Sequence, residues 1–116
     1  MYTIYHNPRC RKSREALRFL EKNEKQVTVV NYFNEPFSKS TLKKVLDMIE
    51  IKPSQVVRKN EADWKKVDNR NTLNEHQILD LLIEYPKILE RPIVISKDSG
   101  VLARPLEKLI SFLRSN

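Results

Sequence analysis

The sequence predicts an α/β fold in which a β-α-β unit and a β-β-α unit flank a helical block. Three observations predict it. Short runs rich in β-branched and aromatic residues bracket an amphipathic stretch within residues 2–33. Residues 38–86 repeat their apolar positions at three- and four-residue steps with no strand pattern between them. A proline-opened apolar run near residue 92 then leads into a turn, a short strand and a last amphipathic stretch. The 116 residues suit one domain, 1–116, with a helical insertion at about 38–86.

Tyr2 to Tyr5 reads as a short strand, followed by the loop His6-Asn7-Pro8-Arg9 and a helix from about Arg11 to Asn23. Ser13, Ala16, Leu17 and Leu20 share one side of that helix, and Arg14, Glu15, Arg18 and Glu21 the other. Val27 to Phe33 reads as a second strand, joined to the first by a parallel, right-handed connection. Ser38 or Ser40 caps a helix running to about Glu50, with Leu42, Val45, Leu46 and Ile49 inward. Pro53 opens a short helix ending near Arg58, Glu61 to Lys66 forms another turn of helix, and Asn74 caps a longer one to Tyr85-Pro86. Arg91 to Ile95 reads as a strand, Lys97-Asp98-Ser99-Gly100 as a turn, and Val101 to Ala103 as the second arm of a hairpin. Pro105 suits the first position of a final helix carrying Leu106, Leu109, Ile110 and Leu113. This order is the layout of a thioredoxin-like fold carrying a helical insertion.

The composition excludes several classes of function. Gly100 is the only glycine, so neither a dinucleotide fingerprint nor a Walker loop can exist, since both need several glycines. One cysteine and two histidines supply no ligand set for a structural metal, and no internal disulfide can form. The formal charge of +7 favours anionic partners through the long-range field. Basic residues mixed with glutamates, and scattered aromatics, argue against a nucleic-acid interface. No apolar run reaches membrane-spanning length and the chain does not open like a signal peptide, so a cytoplasmic monomer without membrane or nucleic-acid partners is expected.

Cys10 is the residue that carries chemistry. It lies at a loop-to-helix junction between Pro8-Arg9 and Arg11-Lys12, with Arg14 a turn later. The positive end of the helix dipole and its free N–H groups stabilise a thiolate there, and neighbouring cations lower its pKa further. The same N–H groups offer a seat for a tetrahedral anion. Arg9, Arg11 and Arg14 are the cations expected to act, with the thiol facing solvent. Ser13 stands where a dithiol enzyme would carry its resolving cysteine, so Cys10 requires an outside thiol, and the Ser13 hydroxyl is placed to donate to the thiolate or to cap the helix. His6 is a candidate for positioning the loop or tuning the thiolate, or for a hydrogen-bonded structural role. A phosphatase loop of Cys-x5-Arg type is excluded, because Ala16 stands six residues after Cys10.

The stretch Tyr5-His6-Asn7-Pro8-Arg9-Cys10-Arg11-Lys12-Ser13-Arg14 resembles the active-site segment of the glutaredoxin-coupled arsenate reductase (ArsC) family. Val56-Val57-Arg58-Lys59-Asn60, Glu90-Arg91-Pro92-Ile93-Val94 and Leu102-Ala103-Arg104-Pro105 resemble that family's three arginine-bearing stretches, in order and at similar spacing. The resemblance implies a thioredoxin-like fold, Cys10 as nucleophile, and Arg58, Arg91 and Arg104 as the cations that bind the oxyanion. Arginine suits that role because its planar fork holds two oxygens at once. Pro92 would be the cis-proline facing the cysteine, with His6, Ser13 and Arg14 in support. The implied reaction has Cys10 attack arsenate to give a covalent adduct, with glutathione as co-substrate, glutaredoxin as partner and no bound cofactor. Arg11-Lys12 departs from the smaller residues usual in the family. Such cations could instead recruit glutathione carboxylates or a protein disulfide, which leaves two alternatives: a general glutathione-dependent thiol reductase, or a non-catalytic regulator of Spx type. The latter usually carries a Cys-x-x-Cys switch, which Ser13 removes.

Overall fold

The computed structural model describes residues 1–23 and 25–115 and divides into two compact units, Met1–Glu35 with Arg91 onward, and Pro36–Glu90. The first unit holds a four-stranded sheet of β1 (Tyr2–His6), β2 (Val27–Asn31), β3 (Ile93–Ser96) and β4 (Ser99–Leu102) in the order β2-β1-β3-β4. β1 pairs parallel with β2 and antiparallel with β3, and β3 pairs antiparallel with β4. Helix α1 (Arg11–Lys22) joins β1 to β2, and the last helix, Leu106–Ser115, follows β4. The expected β-α-β and β-β-α halves of an α/β, thioredoxin-like fold are therefore present.

Ile4 lies directly opposite Val94 across the β1–β3 pair, and both are fully buried. Ala16 and Leu20 of α1 and Leu109 of the last helix pack on them, with Ala103 closing the cluster. The three- and four-residue spacing in α1 puts Ser13, Ala16 and Leu20 inward as the periodicity predicts. His6 shares the Ile4 face of β1, because side chains two apart on a strand point the same way.

The second unit is helical. Helix α2 (Lys39–Met48) is capped by Ser38, whose Oγ accepts the Thr41 amide at 3.2 Å. Helix α3 (Ala62–Lys65) is a single turn, and α4 (Glu75–Glu84) starts in a reciprocal cap: Asn74 Oδ1 accepts the Gln77 amide at 2.8 Å while Gln77 Oε1 accepts the Asn74 amide at 2.9 Å. Three single 3-10 turns, Pro53–Val56, Arg70–Thr72 and Pro86–Ile88, complete it. Leu42, Val45, Leu46, Val56, Ile78, Leu79, Leu82 and Leu89 are among its buried apolar residues. Lys39 Nζ lies 2.9 Å from Asp80 and 2.6 Å from His76 Nε2, linking α2 to α4 at the surface.

The final α-helix, Leu106–Ser115, is α5. Several predicted boundaries move for local reasons. β2 stops at Asn31 instead of reaching Phe33, because the Asn31 side chain accepts the Phe33 amide and its carbonyl accepts those of Asn34 and Glu35, turning the chain. β3 begins at Ile93, beyond Pro92, which has no N–H for the ladder. The hairpin turn is confined to Lys97-Asp98, with Lys97 taking the left-handed φ of 57°, so Ser99 and Gly100 are already strand. Pro105 stands just outside α5, contributing its carbonyl to the Lys108 amide at 3.0 Å. The segment after Pro53 ends at Val56, and Val57 bridges antiparallel to Leu89, so Arg58 sits on extended chain.

Replacing Leu20 by Ala removes a fully buried side chain from the cluster against Ile4 and Leu109. The expected loss is about 2–5 kcal/mol of unfolding free energy, read as a lower urea midpoint at unchanged slope.

Candidate active site

The strand register decides which loops meet. β1 and β2 run parallel, so their carboxyl ends, His6 and Asn31, are paired neighbours. β3 runs antiparallel to β1 with Tyr5 opposite Ile93, which brings Arg91-Pro92, just before β3, to that same end. Ile93 also faces Leu102, the last residue of β4, so Ala103-Arg104 arrives there too. The Cys10 loop, the turn after β2, Arg91 and Arg104 thus occupy one end of one sheet.

Cys10 is the N-terminal flanking residue of α1, with extended backbone, and is half-buried, less open than the cationic neighbourhood suggested. Its loop is tied on both sides. The Asn7 carbonyl accepts the Cys10 amide at 2.9 Å, the Cys10 carbonyl accepts the Arg14 amide at 3.0 Å, and Asn7 Oδ1 accepts the Arg9 amide at 3.1 Å. Ser13 is fully buried, and its hydroxyl accepts the Asn7 amide at 3.1 Å, so the hydroxyl braces the loop while the Ser13 backbone serves the sulfur.

Burial alone would push the Cys10 thiol up and is the largest single influence on it. It is outweighed by the Ser13 N–H, the Arg91 side chain, the Lys12 N–H and the Arg91 charge, which together hold the thiol below its ordinary range.

The expected cations are therefore corrected: the charge at the sulfur comes from Arg91, 81 positions along the chain, not from Arg9, Arg11 or Arg14. Arg11 is 84% exposed and lies 3.7 Å from Glu15, which is also 3.9 Å from Lys12. Arg14 turns its Nη1 to the Pro8 carbonyl at 3.0 Å and so braces the loop.

Arg91 is buried, 8% exposed, with its guanidinium carbon 5.9 Å from the centre of the Phe33 ring. Its carbonyl accepts Arg104 Nη1 at 3.3 Å, which holds the second arginine beside the first. The Arg91-Pro92 and Arg104-Pro105 peptide bonds are both cis, the former at the position where the resemblance implies it. Arg58 belongs to the helical unit, where its amide donates to the Ile88 carbonyl at 2.7 Å and its Nε lies 3.9 Å from Glu90. His6 is 5% exposed, and its Nδ1 is buried without a hydrogen-bond partner among the described residues. Burial first, then the charge of Arg14, holds its pKa below the ordinary histidine value, against a smaller opposing effect of Glu21. Neutral imidazole is the favoured form.

Phe33 is the neighbour that sequence reading missed. The residue pattern predicts it as the last residue of a strand, and the signal against that is Asn31 two residues earlier, a residue type that turns the chain by bonding the amide two positions on. Among the described residues no cluster of three or more His, Cys, Asp or Glu side chains is disposed to hold a metal ion, and no helix is long and apolar enough to cross a membrane.

Alkylation of Cys10 by iodoacetamide followed against pH should inflect below the value of a free cysteine. Arg91→Ala should move the inflection upward and slow the reaction at mildly acidic pH about tenfold, the weight of a hydrogen bond to a charged group, whereas Arg11→Ala should leave the profile in place. A second expectation concerns stability. Because the folded pKa of His6 is below the unfolded one, the unfolded chain takes the proton first. Its contribution is complete above about pH 6.5 and declines below, so His6→Gln should flatten the loss of unfolding free energy on acidification.

The chain matches the family model described as "ArsC family" over residues 5–112. It is 34% identical over 113 residues to an arsenate reductase of Neisseria meningitidis, covering 95% of this chain and 96% of that one. It is 32% identical over 112 residues to the uncharacterized protein YfgD of Escherichia coli K12, covering 95% and 94%. The solved structure of an arsenate reductase from Vibrio cholerae superposes with a TM-score of 0.89 at 29% identity, covering 95% of each chain. A match that spans the cysteine loop and all three arginine-bearing stretches, on a thioredoxin-like scaffold that superposes nearly end to end, shows that this chain belongs to the ArsC family.

Proposed function

We propose that this protein is an arsenate reductase of the glutathione- and glutaredoxin-dependent kind. The observation that carries the reading is the buried Arg91 at the Cys10 sulfur, with Arg104 tethered to the Arg91 carbonyl. One cation stabilises the thiolate, and the pair supplies planar N–H donors for a tetrahedral oxyanion. The family resemblance implies Arg58 as a third. The family membership and the arsenate reductases among the relatives support the substrate assignment.

In this reading Cys10 attacks arsenic and one arsenate oxygen leaves as water, so a sulfur–arsenic bond replaces an oxygen–arsenic bond. Glutathione gives up its thiol proton and its sulfur attacks the Cys10 sulfur of the adduct, so a sulfur–sulfur bond forms as the sulfur–arsenic bond breaks. The bonding pair stays on arsenic, which departs as arsenite, and As(V) becomes As(III) as the two thiols are oxidised to a mixed disulfide. Ser13 cannot close an internal disulfide, so the mixed disulfide is resolved from outside. A thiol of glutaredoxin attacks the glutathione sulfur and returns Cys10 as a thiolate. The oxyanion's negative charge is met by arginine forks and by the Lys12 and Ser13 amides already turned toward the sulfur.

Purified protein with arsenate, glutathione and glutaredoxin should release arsenite, and Cys10→Ser should abolish it. Arg104→Ala should lower kcat/KM for arsenate by about 10- to 100-fold, the weight of a charge-assisted hydrogen bond, with little change in thermal stability. Turnover of glutathionylated Cys10 with no arsenite at any arsenate concentration would sink the substrate assignment and leave a general thiol reductase.

A further inference from the structure

Phe33 lies in the turn that follows β2, and the turn gives it little freedom. The Asn31 side chain holds the Phe33 amide at 3.0 Å, and the Asn31 carbonyl accepts the amides of Asn34 and Glu35 at 3.0 and 2.9 Å. The Phe33 ring stacks on Tyr32, centroids 4.9 Å apart at 29°, and Tyr32 is 2% exposed. The ring is thus anchored from its backbone and from one face. Its surroundings also include the Arg91 guanidinium carbon, 5.9 Å from its centre.

Arg91 needs such an anchor. A guanidinium carries five N–H groups on a long, rotatable stem, and only some orientations direct one of them at a given sulfur. At 8% exposure, Arg91 has lost most of the water that would stabilise its charge. The electron-rich face of an aromatic ring attracts a desolvated cation at this range without competing for its N–H groups. An aliphatic side chain of similar size would fill the space but offer no such attraction.

We infer that Phe33, backed by Tyr32, is a positioning residue for Arg91, holding the guanidinium in the orientation that serves Cys10. The inference rests on the reading of Cys10 as the reactive group but not on its substrate. A consequence is that the turn after β2 tunes the cysteine through the arginine, without touching sulfur itself.

The test is the pH profile of Cys10 alkylation by iodoacetamide, with no arsenate or glutathione present. Phe33→Leu should slow alkylation at mildly acidic pH roughly two- to fivefold, as loss of a cation–ring attraction implies, and move the inflection upward. Phe33→Tyr should stay within about twofold of the parent, since its ring face is retained. In an Arg91→Ala background, Phe33→Leu should have no further effect. Phe33 is only partly buried, so the leucine variant is expected to fold. Should it not, a 3,4,5-trifluorophenylalanine at position 33 keeps the shape and depletes the ring face, and should reproduce the slowing. Equal effects of leucine and tyrosine, no effect of fluorination, or a leucine effect that persists undiminished without Arg91 would each overturn the role. Failure of arsenite release with these results intact would instead count against the substrate reading alone.

Discussion

The pairing of β1 with β3 is the constraint on which the site depends. Tyr5 opposite Ile93 joins the two ends of the chain's sheet-bearing unit and delivers Arg91 to the loop that carries Cys10. A shift of one residue in this pairing would turn Val94 off the Ile4 face, since strand side chains alternate. The hydrophobic cluster of Ile4, Val94, Leu20 and Leu109 therefore specifies the register, and the register specifies the chemistry. Core and site are coupled here through geometry rather than through contact.

The electrostatics at Cys10 follow from this coupling. A half-buried thiol is disfavoured as an anion, and the Ser13 N–H at the helix start is the largest influence that offsets this. The charge that adds to it is a guanidinium that is itself buried, where its field is screened less than that of a surface cation. Arg11 and Lys12 are closer in sequence, yet they extend into solvent beside Glu15 and contribute to the field of the surface instead. Burial, more than proximity along the chain, determines which charge matters.

Much of the polar detail around the cysteine braces the loop instead of reacting. Ser13 and Asn7, Arg14 and Pro8, and Asn7 and Arg9 are all joined by hydrogen bonds within the first turn of α1 and the segment before it. These bonds preserve the position of the sulfur against the rigid end of β1. A serine in place of a second cysteine thus has a structural use as well as a chemical consequence.

The element order, the helix caps at Ser38 and Asn74 and the inward face of α1 were legible in the sequence, because each follows from local spacing and local hydrogen-bonding capacity. So was Cys10, whose position at a helix start is a local fact, and the arginine stretches were legible by resemblance. The source of the charge at the sulfur, the true ends of β2 and β3, the two-residue turn at Lys97-Asp98 and the place of Phe33 were settled by the tertiary structure. Each depends on strand register or on which side chains lose their water, and neither quantity is carried by neighbours along the chain.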